Sequence, residues 1–249
     1  MVFVEKIAKN VYIFSEYLKN IGISINLFLV IDENPAIIET GTLPVAKKTM
    51  SELEKIISLE DIKYIFITHE HPDHIGGLPE IISNAYNAQV VIHRILNVHV
   101  AFMGIYGKTM PIEDEAVINL GRRSIKIHHA PIETKGTVYF ELIPDKIFFT
   151  GDYFGQMTQE WSVYPKVDTN ALIRSIVAFH QGLGYTKAEV KEYLGKIVKA
   201  KPTIIAPSHG SIIKENVEYI AKKVINASLK GGQKGKFWQR IFGRFYSQR

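Results

Sequence analysis

The sequence predicts a layered α/β sandwich followed by a short basic tail. Strand-like apolar runs and helical segments alternate along both halves of the 249-residue chain, as they do in layered α/β folds. Residues 62–70 (IKYIFITHE) form a nearly unbroken run of β-branched and aromatic residues, which is typical of a strand buried on both faces. With 46% hydrophobic residues, a chain of this length can bury one large core.

The predicted strands and helices follow one another without a linker that would separate two domains. Turn-forming Asn, Gly, Asp and Pro separate the first strand-like runs, and later segments repeat apolar residues at helical spacing. The predicted strands are 10–17, 23–32, 35–40, 62–70, 89–94, 124–129, 137–143, 146–150 and 203–206. The predicted helices are 45–58, 75–84, 169–182, 187–200 and 214–226. The first linker-like stretch is LKGGQKGK (229–236), so we predict one domain over residues 1–228 and a tail over residues 229–249.

Composition narrows the class of protein. No apolar run approaches the roughly 20 residues of a membrane-spanning helix, and the first residues lack the regions of a secretory signal. The chain contains no cysteine, which rules out disulfides and thiolate metal ligands. We therefore expect a cytoplasmic protein without a transmembrane segment.

The positive charge is concentrated in the tail. The formal net charge is +5, yet no acidic residue follows Glu218. Because the basic excess is confined to the end, we expect no nucleic-acid binding. Trp238, Ile241, Phe242 and Phe245 recur there at helical spacing. This pattern suits docking on a partner, a second subunit or an anionic membrane, and equally a helix that packs on its own domain.

The residues that carry chemistry follow the buried strand. THEHPDHIGG (68–77) has H-x-H-x-D-H spacing. His69 and His71 can converge on one metal ion, and Asp73 and His74 can serve a second, because imidazoles and carboxylates are common ligands of first-row metals. A loop at the end of a rigid strand can direct several side chains at one point. The stretch predicts a dinuclear metal site.

This stretch resembles the T-H-x-H-x-D-H-x-G-G signature of the metallo-β-lactamase fold. The resemblance implies an αββα sandwich, a four-layer α/β (α+β) architecture with a dinuclear site at one edge. TGDYFG (150–155) follows a strand and supplies Asp152, which resembles the family's bridging aspartate. PSHGS (207–211) follows another strand and supplies His209, which resembles its last histidine.

One ligand departs from the pattern of the hydrolases with this fold. They usually carry a stretch similar to H-x-P-G-H-T-x-G-S, whereas this chain has HAPIETKGT (129–137). Aligned on Pro131 and Gly136, the ligand position falls on Glu133. Either Glu133 binds metal or the first metal has lost a ligand. We favour Glu133, because a buried carboxylate without a partner would be costly.

Three runs, HAP (129–131), DYFG (152–155) and PSHG (207–210), resemble the flavodiiron proteins, whose N-terminal domain has this fold. Those proteins generally carry glutamate at the position of His71 and histidine at that of Glu133, so the two types are exchanged here. The resemblance implies six metal ligands: His69, His71, Asp73, Glu133, Asp152 and His209. It leaves His74 open, since that histidine is a ligand in hydrolases and is usually turned away in flavodiiron proteins.

The resemblance implies a non-haem di-iron protein that binds O2 or NO. Flavodiiron proteins continue into a flavodoxin-like domain that binds FMN. This chain resembles the stand-alone oxygen-binding di-iron proteins that lack it, so we expect two irons and no flavin. The protein would be an oxygen sensor or carrier, or a reductase that receives electrons from a separate protein. A signalling partner and a homodimer are further expectations.

Two alternatives remain open. A dinuclear zinc hydrolase would use its metals to activate a bridging water against an ester, thioester or phosphodiester. A degenerate fold kept as an interaction module would leave a near-complete ligand set idle. Hard oxygen donors stabilise ferric iron, so the three carboxylates favour the di-iron protein. Outside the motifs, His93, His99 and His180 are predicted to be structural or to lie around the metal ligands.

Overall fold

Two β-sheets face each other between two layers of helices in the computed structural model, which describes residues 1–19, 21–158 and 161–227. The predicted αββα sandwich is confirmed. The tail predicted over residues 229–249 lies outside the described residues. Within the described ranges no helix is long and apolar enough to cross a membrane.

The first sheet has seven strands in chain order. They are β1 (Val2–Ala8), β2 (Val11–Leu18), β3 (Ile23–Val30), β4 (Ala36–Ile38), β5 (Tyr64–Phe66), β6 (Gln89–His93) and β7 (Thr109–Ile112). The pairs from β1 to β4 are antiparallel, and those from β4 to β7 are parallel.

The second sheet has five strands in the order β12-β11-β10-β9-β8. They are β8 (Val117–Asn119), β9 (Ser124–His129), β10 (Val138–Ile143), β11 (Ile147–Phe149) and β12 (Ile204–Ala206). Only β11 and β12 pair in parallel. As a result β9, β11 and β12 all end at the same edge of this sheet.

The helices cover the outer face of each sheet. They are α1 (Leu43–Leu53), α2 (Pro72–Ile75), α3 (Leu78–Asn84), α4 (Asn97–Phe102), α5 (Thr169–Leu183), α6 (Lys187–Ala200) and α7 (Val217–Asn226). Val45 of α1 and Ile81 of α3 pack in one core cluster with Leu27 of the first sheet. The last three helices pack on the outer face of the second sheet, where Ile176 of α5 shares a cluster with Phe148.

A third cluster fills the space between the sheets. Along β5, Ile65 faces the outer helices while Phe66 faces inward, because successive side chains of a strand point to opposite faces. The rings of Phe66 and Phe140 meet edge to face across the two sheets with centroids 5.3 Å apart. Complete burial of each such side chain contributes about 1.5–3 kcal/mol, so this layer holds the sheets together.

Local sequence signals fix the ends of α5 and α6. The carboxylate of Asp168 accepts hydrogen bonds from two backbone amides of the first turn of α5, which satisfies donors that a helix leaves unpaired. Gly184 ends α5 with φ of 79°, a conformation that glycine adopts without strain. Thr186 and Glu189 form a capping box at the start of α6. Only Tyr185 separates these two caps.

The elements differ from the prediction in several places. The strand predicted at 62–70 is only three residues long, because its second half turns into the loop that carries the histidines. The helix predicted at 75–84 begins only at Leu78 of α3, and Gly76 and Gly77 separate it from the short helix α2, which was not predicted. A Cβ on Gly77 would lie 2.3 Å from the carbonyl oxygen of Thr40, so glycine is required there. The strands β1, β7 and β8 and the helix α4 were not predicted. β1 and β8 are largely exposed, so neither has the apolar pattern of a buried strand.

Candidate metal centre

Four loops meet at the edge of the sandwich where β5, β9, β11 and β12 end. Backbone hydrogen bonds join loops of the two sheets and of neighbouring strands. The amide of Val138 donates to the carbonyl of Thr68 at 3.0 Å, and the amide of Ser208 donates to the carbonyl of Gly151 at 2.9 Å. The strands therefore direct side chains from distant parts of the chain at one place.

The first group of potential ligands is His69, His71, Glu133 and Asp152, whose ligand atoms all lie within 4.8 Å of one another. Nε2 of His69 and Nδ1 of His71 are 3.0 Å apart, and Oε1 of Glu133 lies 3.1 Å from Nδ1 of His71. The side chain of His71 is 28% exposed, whereas that of Glu133 is 6% exposed. His71 therefore marks the side on which the site opens to solvent.

The second group is Asp73, His74 and His209, again with ligand atoms within 4.8 Å. Nε2 of His209 lies 3.1 Å from Oδ2 of Asp73, and Nε2 of His74 lies 3.7 Å from the same oxygen. All three side chains are buried. Nε2 of His74, whose role the resemblance left open, faces into this group.

Asp152 lies between the two groups. It belongs to the first group, and its Oδ1 is 3.0 Å from Nε2 of His74 and 3.2 Å from Nε2 of His209. Despite these distances, neither Asp73 nor Asp152 makes a well-aligned side-chain hydrogen bond within the described residues. Buried carboxylates without donors are costly, and a cation at the centre of each group would satisfy them. The donor set fits two metal ions.

The electrostatics of the second group favour positive charge. Burial opposes the protonated form of His74, but Glu39, Asp73 and Asp152 outweigh burial and raise its pKa well above the usual value. In the same way Asp152 and Asp73 raise the pKa of His209 to about 10 against the effect of burial. Positive charge is therefore stabilised where the second metal would bind.

The histidines are oriented by groups behind them. Nδ1 of His209 lies 2.7 Å from the carbonyl oxygen of Ser24, and Nδ1 of His69 lies 3.0 Å from Oγ1 of Thr68. When Nδ1 carries the proton and donates to such a group, the lone pair lies on Nε2, the atom that faces the site. Such contacts fix the tautomer and the ring orientation of metal-binding histidines.

Sequence reasoning missed Glu39, the group behind His74. Its side chain is 1% exposed, and its Oε2 lies 3.2 Å from Nδ1 of His74. Glu39 follows β4 with φ of 67°, a backbone conformation that costs free energy for a residue with a Cβ. A carboxylate at the end of a buried strand, in IIETG, was the signal that could have identified it.

Sequence reasoning also missed Tyr185. Its hydroxyl donates a hydrogen bond to Oε2 of Glu133 at 2.7 Å. Burial and the negative charge of Glu133 raise the pKa of Tyr185 well above its usual value, so the phenol keeps its proton.

A second contact joins the connection after β9 to the connection after β5. Oγ1 of Thr134 donates to Oε2 of Glu70 at 2.7 Å.

The other histidines lie outside both groups of potential ligands. The ring of His93 stacks on that of His129 with centroids 4.2 Å apart, and His99 is exposed on α4. His180 is buried, and burial lowers its pKa to about 4. Its ring centroid is 5.2 Å from that of Tyr185, so His180 packs behind the ligands.

The chain is similar in sequence to one family model and to curated proteins named nitric oxide reductase or flavorubredoxin. The family model described as "ODP family beta lactamase" matches residues 23–210. The nitric oxide reductase of Moorella thermoacetica is 23% identical over 200 residues, which cover 77% of this chain and 50% of that protein. The anaerobic nitric oxide reductase flavorubredoxin of Vibrio vulnificus is 22% identical over 222 residues, which cover 85% and 44%.

Solved structures show the same fold. The flavodiiron protein from Giardia intestinalis has a TM-score of 0.81 at 18% identity, over 90% of this chain and 59% of that chain. The rubredoxin oxygen:oxidoreductase from Desulfovibrio gigas has a TM-score of 0.81 at 16% identity, over 90% and 61%. The resemblance to flavodiiron cores is thus confirmed in the fold, and the chain spans about half the length of the curated relatives it matches.

Proposed function

The chain belongs to the ODP family of beta-lactamase domains, and on that premise we propose that it is a non-haem di-iron protein that binds O2 or NO at its dinuclear site. Relatives named nitric oxide reductase and flavodiiron structures of the same fold support the proposal. With electrons from a separate donor protein it would act as a reductase. Without them it would serve as an oxygen sensor or carrier.

The composition of each half of the site carries the proposal. His69, His71 and Glu133 form one half, and Asp73, His74 and His209 form the other. Each half therefore offers two imidazoles and one carboxylate. With Asp152 close to both groups, the site offers three carboxylates, and hard oxygen donors of this kind suit iron.

Each protein group has a defined role in this proposal. The two halves would hold one ion each, and Asp152 would contact both. Iron, when bound, supplies electrons and an open coordination position. Glu39 orients His74 toward the second ion, and the exposed side of His71 leaves an opening that suits a gas-sized ligand.

The charge of the site also suits a pair of divalent ions. Four carboxyl groups approach it, from Glu39, Asp73, Glu133 and Asp152. When ionised they balance the charge of two divalent cations.

One observation favours a dinuclear zinc hydrolase as a second candidate. Nε2 of His74 faces Asp152 at 3.0 Å, and this is the position that the resemblance gives to a ligand in hydrolases. A zinc pair would lower the pKa of a bound water and polarise an ester, thioester or phosphodiester.

Metal analysis and optical spectroscopy test the two candidates together. Protein produced without oxygen in iron-supplemented medium should contain two irons per chain, and its absorption should change when O2 or NO is added. Two zincs per chain and no change with O2 would overturn the di-iron proposal. Cleavage of bis(p-nitrophenyl) phosphate by the protein that contains two zincs would establish the hydrolase.

A matched pair of variants ties the result to the site. Asp152→Asn should abolish binding of at least one ion, because the amide replaces a charged oxygen close to both groups. Asp168→Asn makes the same change at a helix cap, where asparagine is equally suitable, and should keep both ions. Equal metal content in the two variants would contradict the bridging role.

The remaining parts of the proposal concern assembly and location. We propose a cytoplasmic homodimer that works with a separate electron-donor or signalling protein, on the strength of the resemblance to flavodiiron proteins. Light scattering of the metal-loaded protein should give twice the mass of one chain. A monomer at micromolar concentration would refute the homodimer.

A further inference from the structure

We propose that Tyr185 is a positioning residue that keeps Glu133 bound to the first metal through a single oxygen and thereby preserves an open coordination position. The inference rests on the proposed dinuclear site. It concerns a residue that would not itself contact a metal.

Tyr185 is held rigidly between two helices. It follows the left-handed turn of Gly184 at the end of α5, and its amide donates to the carbonyl of His180 at 3.0 Å. Its side chain is completely buried. The ring centroids of His180 and Tyr153 lie 5.2 and 5.8 Å from its own. The position of the hydroxyl is therefore fixed by packing before any metal binds.

Both oxygens of Glu133 face the first group of ligands. Oε1 lies 3.1 Å from Nδ1 of His71, and Oε2 lies 3.9 Å from Nε2 of His69. A carboxylate placed in this way could bind one metal through both oxygens. The hydroxyl of Tyr185 donates to Oε2 at 2.7 Å, which occupies a lone pair and draws charge from that oxygen. Oε1 is left as the better metal ligand.

The need for such a contact follows from the residue type at position 133. An imidazole offers a metal only one atom. A glutamate at the same place offers two, and a second bound oxygen would fill a position that O2 or NO requires. Tyr185 makes the carboxylate behave as a ligand with one donor atom.

Cobalt(II) substitution measures this coordination directly. The visible bands of high-spin cobalt(II) weaken when its coordination number rises, and the measurement needs neither turnover nor oxygen. Tyr185→Phe should bind two cobalt ions with visible bands weakened by up to about half, because only the first ion gains a ligand, and its ferrous form should bind NO more weakly. Tyr139→Phe is the matched control, because Tyr139 is a buried tyrosine whose hydroxyl is 3.5 Å from a backbone carbonyl. It should keep the original spectrum.

A double-mutant cycle separates positioning from general packing. With histidine in place of Glu133, the hydrogen bond has no carboxylate to act on, so adding Tyr185→Phe to Glu133→His should leave the cobalt bands unchanged. Equal effects of Tyr185→Phe in both backgrounds would overturn the inference, as would an unchanged spectrum in the single variant. A Tyr185→Phe protein that fails to fold while Tyr139→Phe folds would also count against it. Failure of the unmodified protein to bind two cobalt ions would instead refute the dinuclear site itself.

Discussion

Replacing Glu39 with glutamine tests whether the second metal depends on a carboxylate behind its ligand. Oε2 of Glu39 is 3.2 Å from Nδ1 of His74, and both side chains are buried. Glutamine keeps an oxygen that can accept from Nδ1 but removes the charge that makes the imidazole a stronger donor. Loss of such a partner typically lowers metal affinity 10- to 100-fold, which corresponds to about 1.4–2.7 kcal/mol. Because the acceptor oxygen is retained, we expect roughly the lower value.

Competition with a chromophoric chelator measures the effect for each ion. In Glu39→Gln one of the two ions should dissociate at a lower chelator concentration, while the other keeps its affinity. The control is Glu141→Gln, which removes a carboxylate 2.9 Å from Nε2 of His128, an imidazole outside both groups of potential ligands. Two unchanged affinities in Glu39→Gln, or the same loss in the control, would refute the reasoning.

Two further predictions concern the fold. Burial alone would raise the pKa of Asp32, but hydrogen bonds from Arg123 and from the amide of Glu33 outweigh it and lower that pKa. Asp32→Asn should therefore reduce the free energy of unfolding in urea by about 1 kcal/mol at pH 7, since the pair is only partly buried. The difference should shrink as the pH falls below about 4, where the unfolded carboxyl is protonated; a loss independent of pH would contradict the ion pair. Gly77→Ala places a Cβ 2.3 Å from the carbonyl oxygen of Thr40 and should cost about 2 kcal/mol, seen as a lower melting temperature. An unchanged melting temperature would show that α2 and α3 can move apart.

The sequence identified the candidate ligands that the fold brings together more readily than the residues packed behind them. Few side chains bind metals, so His69 and His71 stand out in a short motif with fixed spacing. Tyr185 and Glu133 are 52 positions apart, and no local pattern relates two residues that meet only when α5 and α6 have packed on the second sheet. The same limit applies to Glu39, whose partner lies on another strand's loop.

The strands and helices also differ in how well the sequence predicted them. The strands between two covered faces have strong apolar patterns, and β9 ends at His129 as predicted. β1 and β8 lie at sheet edges and are mostly exposed, so their sequences resemble those of loops. The break between α2 and α3 depends on how closely Gly77 approaches Thr40, a tertiary contact that single-sequence patterns do not contain.

The candidate ligands come from four connections that belong to two different sheets, so metal binding at this site would link metal supply to the lifetime of the protein. His69 and His209 can meet only when both sheets are formed, so ions at the proposed site would bind the folded chain and not the unfolded one. By mass action, each ion present at 100 times its dissociation constant adds about 2.7 kcal/mol to the free energy of unfolding. The free energy of unfolding sets what fraction of a protein is unfolded and open to proteases in the cell. A cell short of metal would therefore hold less of this protein as well as less of its loaded form.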